Sequence, residues 1–121
     1  MRLATPILAI AALLAPIVAQ STQQWSACQT ISGVSNYIAY GSSVLVTLSP
    51  GISGCSPADI PGATVFTVGV NGITTDNINS FLATGLAAYS AGHQVMVYYD
   101  NSTTNCQGLI VSVGGPSGQC P

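Results

Sequence analysis

The stretch from residue 78 to residue 99, INSFLATGLAAYSAGHQVMVYY, changes its hydrophobic spacing from that of a helix to that of a strand. The large apolar residues of its first half lie three and four positions apart, which predicts one buried helix face. They are Ile78, Phe81, Leu82, Leu86 and Tyr89. From residue 94 to residue 99 the spacing becomes strictly alternating, which predicts a strand. The buried side of that strand would carry Val95, Val97 and Tyr99. By the same periodicity Tyr89 and one of Tyr98 or Tyr99 belong to the core.

The ends of this helix carry recognisable signals. Thr75 or Asp76 would cap its start, since a short side-chain oxygen satisfies free backbone N–H groups, and Gly92 would end it in a left-handed conformation. Gly85 would let the helix approach a sheet closely. The face opposite the apolar one is small and uncharged, at Asn77, Asn79, Ser80, Ala83, Thr84, Ala87, Ala88 and Ala91. That face is expected either to lie in an oligomer or to follow the low charge of the whole chain.

Outward from this stretch, four further segments have the β-branched and aromatic content of strands. They are residues 31–40, 44–48, 63–70 and 109–113, with a long Pro- and Gly-containing connection at 50–62. The resulting order, β-β-β-α-β-β, is that of the five-stranded OB-fold barrel. We therefore predict a mainly β chain with one helix and this barrel. An open antiparallel sheet with a helix on one face is the alternative.

The amino-terminal segment has the pattern of a signal peptide. Arg2 precedes an apolar run that contains Pro6 and Pro16 and ends at the small residue Ala19. The run is somewhat short for a membrane span, so we expect cleavage and secretion rather than membrane insertion. The predicted organisation is a signal peptide at 1–19, a flexible segment at 20–27 and one domain at 28–121.

Four cysteines follow in the predicted mature chain, and an even number in a short exported chain predicts two disulfides. Three connectivities are possible, and we favour Cys55–Cys106 with Cys28–Cys120. The second pair would tie both ends of the domain together, and long loops gain most from such a link, about 4 kcal/mol in the chain-entropy model. One histidine and no CxxC pair argue against a metal site.

Charge excludes more functions than any motif suggests. After Arg2 the chain has no Lys, Arg or Glu, and its carboxylates are Asp59, Asp76 and Asp100. Nucleic acids are bound through rows of cations, and anionic lipid surfaces attract the same residues. The sequence therefore predicts no nucleic-acid partner and no binding to acidic membranes.

Catalysis also lacks its usual groups. His93 is the only conventional base for a Ser-His-Asp arrangement, and it stands in a predicted turn with no GxSxG signature in the chain. A glycosidase would need two carboxylates about 5 to 10 Å apart, and the three aspartates fall in loops or at a cap. We predict no catalytic residues, no cofactor and no enzyme activity.

Several short motifs resemble the receptor-binding B subunits of subtilase cytotoxin and the related pertussis-type AB5 toxins. The motifs are Ile31-Ser32-Gly33-Val34, then Cys55 after a second strand, then the segment SAGHQVMVYY at 90–99. The similarity extends from near Cys28 to Val113. It implies a small exported OB-fold chain that assembles as a homopentamer, acts in virulence and binds cell-surface glycans, often sialylated. It also implies a catalytic A chain encoded separately.

The family's glycan site has matching positions at Ser32 and Tyr99, which the resemblance implies as ligand-binding residues. The position of the acidic residue that precedes the serine in the family falls near Cys28 in this chain, which is a departure from the family's pattern. Asn101-Ser102-Thr103 is a glycosylation acceptor in a eukaryotic source. The alternative function is that of a small disulfide-stapled secreted effector or structural, host-interacting protein without glycan binding.

Overall fold

We describe a computed structural model of the protein over residues 22–37 and 42–121. The described residues form six strands, one α-helix and a short 3-10 turn at Pro57–Asp59. The strands are β1 Gln23–Trp25, β2 Gln29–Tyr37, β3 Ser43–Ser49, β4 Thr64–Thr67, β5 Gln94–Asp100 and β6 Gln107–Val113, and the helix is α1 Thr75–Ala91. The predicted signal peptide lies outside the described residues, as do positions 38–40 of the first predicted strand.

Five of the strands pair into a ring. Antiparallel pairing joins β5 to β2, β2 to β3, β3 to β4 and β6 back to β5. The remaining contact is parallel and joins β4 to β6 where Val65 pairs with Gln107. The prediction of a mainly β chain with one helix between the third and fourth predicted strands is therefore confirmed.

An additional strand outside the ring, β1, corrects the prediction of a flexible segment at 20–27. β1 lies in that segment and pairs antiparallel with β5, so that Gln23 is opposite Asp100 and Trp25 is opposite Tyr98. Ser26 then anchors its end, because the Ser26 N–H donates to Val97 O (2.8 Å) and Val97 N–H donates to Ser26 Oγ (3.0 Å). The polar composition of 20–27 gives no local strand signal, and β1 forms because it pairs with β5, which is distant in sequence.

The strand limits follow the prediction with small shifts. The third predicted strand, 63–70, is shorter in the structure because tight turns follow Thr67, where Val70 N–H donates to Thr67 O. β6 instead begins two residues earlier than predicted, at Gln107.

The main core lies inside the ring and beneath α1. It contains Ile31, Val44, Val46, Leu48, Phe66, Ile73, Val95, Val97 and Tyr99, all under a tenth exposed. Phe66 and Phe81 stack with their ring centres 4.6 Å apart, which joins the helix to β4. Burial of this apolar surface is the main source of stability.

A second, smaller core lies on the other face of β3 and β4. Leu45 and Val65 are direct cross-strand partners, and both are buried with Ala63. Ile60, from the 50–62 connection, packs against them. The connection therefore covers the outer face of these two strands.

The first half of the helix buries the predicted face, with Ile78 buried and Phe81 and Leu82 packed against the core, and the second half buries a different one. Leu86 and Tyr89, predicted to be buried, are 44% and 50% exposed, whereas Ala88, predicted on the outer face, is 1% exposed. A Cβ added to Gly85 would lie 3.4 Å from Val34 Cγ2, so the helix passes close to β2 there, as predicted. At that separation small residues occupy the contact and the two large side chains turn to solvent.

The carboxyl-terminal end of the helix was predicted correctly, and the amino-terminal end was predicted one or two residues late. Gly92 adopts the left-handed conformation (φ 72°). The N-cap is Thr74, not Thr75 or Asp76. Thr74 Oγ1 accepts from Asn77 N–H (3.1 Å) and Asn77 Oδ1 accepts from Thr74 N–H (2.7 Å), which is the reciprocal capping box. Asp76 lies in the first turn, where its charge is favourable to the helix dipole.

Two disulfides are present, Cys28–Cys120 and Cys55–Cys106, and they are the pairs favoured from the sequence. The first has a sequence separation of 92 residues and joins the segment before β2 to the carboxyl-terminal tail. The second is buried and joins the 50–62 connection to the loop that precedes β6. Each disulfide therefore constrains a long loop of the unfolded chain, which stabilises the folded state.

Substitution of Gly108 by alanine tests the packing at the closure of the ring. A Cβ on Gly108 would overlap the ring of Phe66, which is completely buried. We expect Gly108→Ala to lower the free energy of unfolding by about 3 kcal/mol, at the upper end of overpacking effects. Urea denaturation measures this change.

Gly33→Ala is the matched control, because Gly33 is also a strand glycine and its nearest neighbour to an added Cβ would be Thr47 Oγ1 at 3.5 Å. We expect a change within about 1 kcal/mol for the control. Equal effects of the two substitutions would contradict the proposed role of the Phe66–Gly108 contact.

Candidate functional site

The two ligand-binding residues implied by the resemblance lie far apart. Ser32 is exposed on β2 beside an irregularity in the pairing between Ile31 and Gly33. Tyr99 is on β5, is 4% exposed, and its hydroxyl accepts a hydrogen bond from Gln24 Nε2 (2.7 Å). Burial of Tyr99 agrees with the expectation that one tyrosine of the pair is in the core.

The strand register gives the separation of these two residues. Thr30 is opposite Gln94 where β2 and β5 pair. Ser32 lies beyond that point in one direction and Tyr99 in the other, a distance of about 20 Å at roughly 3.3 Å per residue. Ser32 and Tyr99 therefore do not form one pocket.

A different set of residues forms a continuous outward-facing surface on β1, β5 and β6. Because Val95, Val97 and Tyr99 point inward, the alternation of β5 turns Tyr98 and Asp100 outward. Trp25 and Ile110 are the direct cross-strand partners of Tyr98 on its two sides. We call Thr22, Trp25, Tyr98, Asp100 and Ile110 the aromatic face.

Two rings form the centre of the aromatic face. The ring centres of Trp25 and Tyr98 are 5.2 Å apart, with the ring planes inclined at 53°. Both side chains are half-buried, so each keeps part of its surface in solvent, and Ile110 beside them is 45% exposed. A tilted pair of this kind offers a rigid apolar platform, because each aromatic side chain has only two torsions to fix.

A carboxylate lies at the edge of this platform. Asp100 Oδ1 accepts hydrogen bonds from Ser102 N–H (2.8 Å) and from the Thr22 hydroxyl (2.8 Å). These bonds, the one from the Ser102 backbone most of all, hold the pKa of Asp100 below its usual value of 3.8, because hydrogen bonding favours the charged form. Asp100 is therefore a partly exposed, ionised acceptor at neutral pH.

An apolar groove continues from the aromatic face towards α1. Its volume is about 280 Å³, and it lies between the first half of the helix and β6. Phe81 and Ile110 contribute apolar walls, and Asn77, Ser80 and Thr84 contribute polar groups on the helix side. Ile110 belongs to both surfaces, so the groove and the aromatic face are contiguous.

His93 has no catalytic surroundings in the described part of the chain. It is exposed beside a pocket of about 300 Å³ whose other lining residues are Gln94, Val113, Gly114, Cys120 and Pro121. None of these is a carboxylate side chain or a hydroxyl nucleophile. Within residues 22–37 and 42–121, no group of three His, Cys, Asp or Glu side chains could hold a metal ion, and no helix is long and apolar enough to span a membrane.

Sequence reasoning missed the aromatic face for an identifiable reason. The alternation that places Tyr99 inside also places Tyr98 outside, so the outward position of Tyr98 could be predicted from the sequence of β5 alone. Trp25 stands in a short polar segment with no strand signal, and only its pairing with Tyr98 brings the two rings together.

Removal of the Thr22 hydroxyl tests the electrostatics of Asp100. In Thr22→Val we expect the pKa of Asp100 to rise towards 3.8, because one donor to the carboxylate is lost. Carboxyl NMR titration measures this shift.

The lowered pKa of Asp100 makes the free energy of unfolding depend on pH. Because folding lowers this pKa, the stabilisation is present above pH 3.8 and is lost as the pH falls through the folded-state value. Thr22→Val should reduce that loss. Thr30→Val, an exposed strand threonine on β2, is the control and should leave the titration of Asp100 unchanged. An unchanged titration in Thr22→Val would contradict the assignment.

No protein-family model, curated protein or solved structure matches this chain. The resemblance to toxin B subunits therefore remains a hypothesis carried by the motifs already quoted.

Proposed function

We propose that this chain is a secreted glycan-binding protein built on the OB-fold barrel of the B-subunit family, without catalytic activity of its own. The ring of β2, β3, β4, β6 and β5, with α1 between β4 and β5, supports the barrel. The five-stranded Greek-key barrel has this element order and commonly binds oligosaccharides.

The observation that carries the proposal is the half-buried ring pair of Trp25 and Tyr98, which keeps part of its surface in solvent beside hydrogen-bonding groups. Sugars have apolar C–H faces that pack on aromatic rings and hydroxyl groups that need donors and acceptors. The aromatic face offers both, since Thr22 and Asp100 adjoin the two rings. Its composition suits an uncharged polyol better than a nucleic acid, because no Lys or Arg occurs among the described residues.

The position of the aromatic face also supports binding there. OB-folds bind ligands at the face of their second and third strands and at two loops, one of which joins the fourth and fifth strands. Here the equivalent strand face, on β3 and β4, is covered by Ile60 and Ala63. The equivalent loop, 101–106, begins directly after Asp100. The aromatic face thus takes the place of the covered surface.

Secretion belongs to the same proposal. It rests on the signal-peptide pattern of 1–19 and on two disulfides, which persist in oxidising compartments. Asn101 is exposed in the loop after β5, so in a eukaryotic source it would be accessible as the acceptor for an attached glycan.

A ring of copies would raise a weak single-site affinity through avidity. The exposed side of α1 supports self-association, because it presents the large apolar side chains of Leu86 and Tyr89. Ala83 and Ala87 are exposed on the same helix and are small and uncharged. In this proposal the chain is a homopentamer, and its catalytic A chain is encoded separately.

Sedimentation equilibrium tests the assembly. We expect a particle with five times the mass of the mature chain, and Tyr89→Ala should weaken the assembly because it removes exposed apolar surface. Thr30→Ala, an exposed substitution away from the helix, should leave the mass unchanged. A monomeric wild-type protein at micromolar concentration would contradict the pentamer.

The apolar groove beside Phe81 favours a second candidate function, that of a disulfide-stapled secreted effector that contacts a host protein. Its apolar walls suit a protein side chain better than a sugar. Failure to bind any glycan together with binding to a protein through this groove would favour the second candidate.

Loss of one ring should abolish most of the glycan affinity. We expect Trp25→Ala to weaken binding to a monovalent glycan by about tenfold, since an aromatic contact contributes about 0.5 to 1.5 kcal/mol beyond the apolar area that it buries. The glycan is first chosen from an array, and its affinity is then measured by titration calorimetry.

Tyr89→Ala is the matched control for that measurement, because it removes an exposed aromatic ring from α1, outside the aromatic face. A monovalent glycan excludes avidity, so the control should bind as the wild type does. Equal loss in both variants, or no binding to any arrayed glycan, would contradict the proposal.

A further inference from the structure

We propose that the ligand of the aromatic face is an uncharged glycan and that the face rejects glycans bearing sialic acid or other acidic sugars. This inference rests on the proposed glycan binding and names the class of sugar bound. It differs from the sialylated ligands that the family resemblance implies.

The described residues offer no cationic partner to an acidic sugar on the aromatic face. Carboxylates are usually recognised through Arg or Lys, and neither occurs in residues 22–37 or 42–121. His93, the one other side chain that could carry a positive charge, lies beside Val113 at the far end of β6 from Gln107, the residue opposite Asp100. An acidic sugar on the aromatic face would therefore meet no compensating charge.

Asp100 places a negative charge close to the ring pair. It is two residues from Tyr98 on the same side of β5, which places their Cα atoms about 7 Å apart. Thr22 Oγ1 and Ser102 N–H hold the carboxylate at the edge of the ring pair. A sugar stacked on Trp25 and Tyr98 would lie beside this negative charge.

The lack of cations and the position of Asp100 favour binding of uncharged sugars and disfavour binding of acidic sugars. A carboxylate accepts hydrogen bonds from sugar hydroxyls, and charged acceptors form the stronger bonds. The same carboxylate repels an anionic sugar, and no Lys or Arg among the described residues offsets the repulsion.

The test compares matched pairs of glycans on an array. Each neutral glycan, including N-acetyllactosamine, oligomannose and N-acetylglucosamine oligomers, is printed beside the same glycan capped with sialic acid. We expect every strong signal to come from a neutral glycan, and we expect capping to reduce binding roughly fivefold or more at low salt. Raising the salt concentration from 50 to 500 mM should narrow this ratio, because the repulsion is screened.

Two variants separate the charge of Asp100 from the general charge of the chain. Asp100→Asn removes the negative charge with little change of shape. It should lower the ratio of the binding signal of each neutral glycan to that of its sialylated counterpart. Asp59→Asn is the control, because it removes an equal charge outside the aromatic face and asparagine tolerates the positive φ of 61° found there. The control should leave the ratio unchanged.

The outcomes distinguish this inference from the proposed function. Binding of a sialylated glycan as tight as that of its neutral counterpart, or tighter, would overturn the inference and leave glycan binding intact. A ratio unaffected by Asp100→Asn would also overturn it. Absence of binding to every arrayed glycan would overturn the proposed function and this inference together.

Discussion

The closure between β4 and β6 is the contact on which the rest of the structure depends. The two strands share a single residue pairing, Val65 with Gln107. Thr64 Oγ1 donates to Cys106 O (2.7 Å), and the Cys55–Cys106 disulfide holds the same corner. The Phe66 ring lies directly on Gly108, where any side chain would overlap it. So narrow a closure requires a glycine at this position, because only bare backbone lets the aromatic ring reach across the ring of strands.

Closure decides which side of each strand faces solvent. With the interior filled by Phe66, Val95 and Val97, the alternate residues of β5 must point outward. On β3 and β4 the outward side is covered by the 50–62 connection, and on β5 it is not. The ring pair of Trp25 and Tyr98 is thus a consequence of how the ring is closed and of which part of its outside is covered. Because the described residues include no Lys or Arg, Asp100 gives this surface a negative charge that no nearby cation neutralises.

Prediction succeeded where a signal is local and failed where the deciding partner is distant in sequence. Gly92 was correctly placed because a left-handed helix end depends on one residue. The helix start was misplaced by one or two positions, since Thr74, Thr75 and Asp76 are all acceptable caps and only Asn77 completes the box with Thr74. The buried helix face was predicted incorrectly at Leu86 and Tyr89 because periodicity favours large residues, whereas the close passage of Gly85 past Val34 favours small ones.

By itself the sequence determined the mainly β class, the single helix and the order of the five strands of the ring around that helix, because hydrophobic spacing is a local property of the chain. It also determined the charge inventory, which no fold can alter. Only the tertiary structure decided that Ser32 and Tyr99 lie apart, since their separation depends on the register of β2 against β5. It also decided that Trp25 meets Tyr98, because pairing across 73 positions has no local signature in either segment.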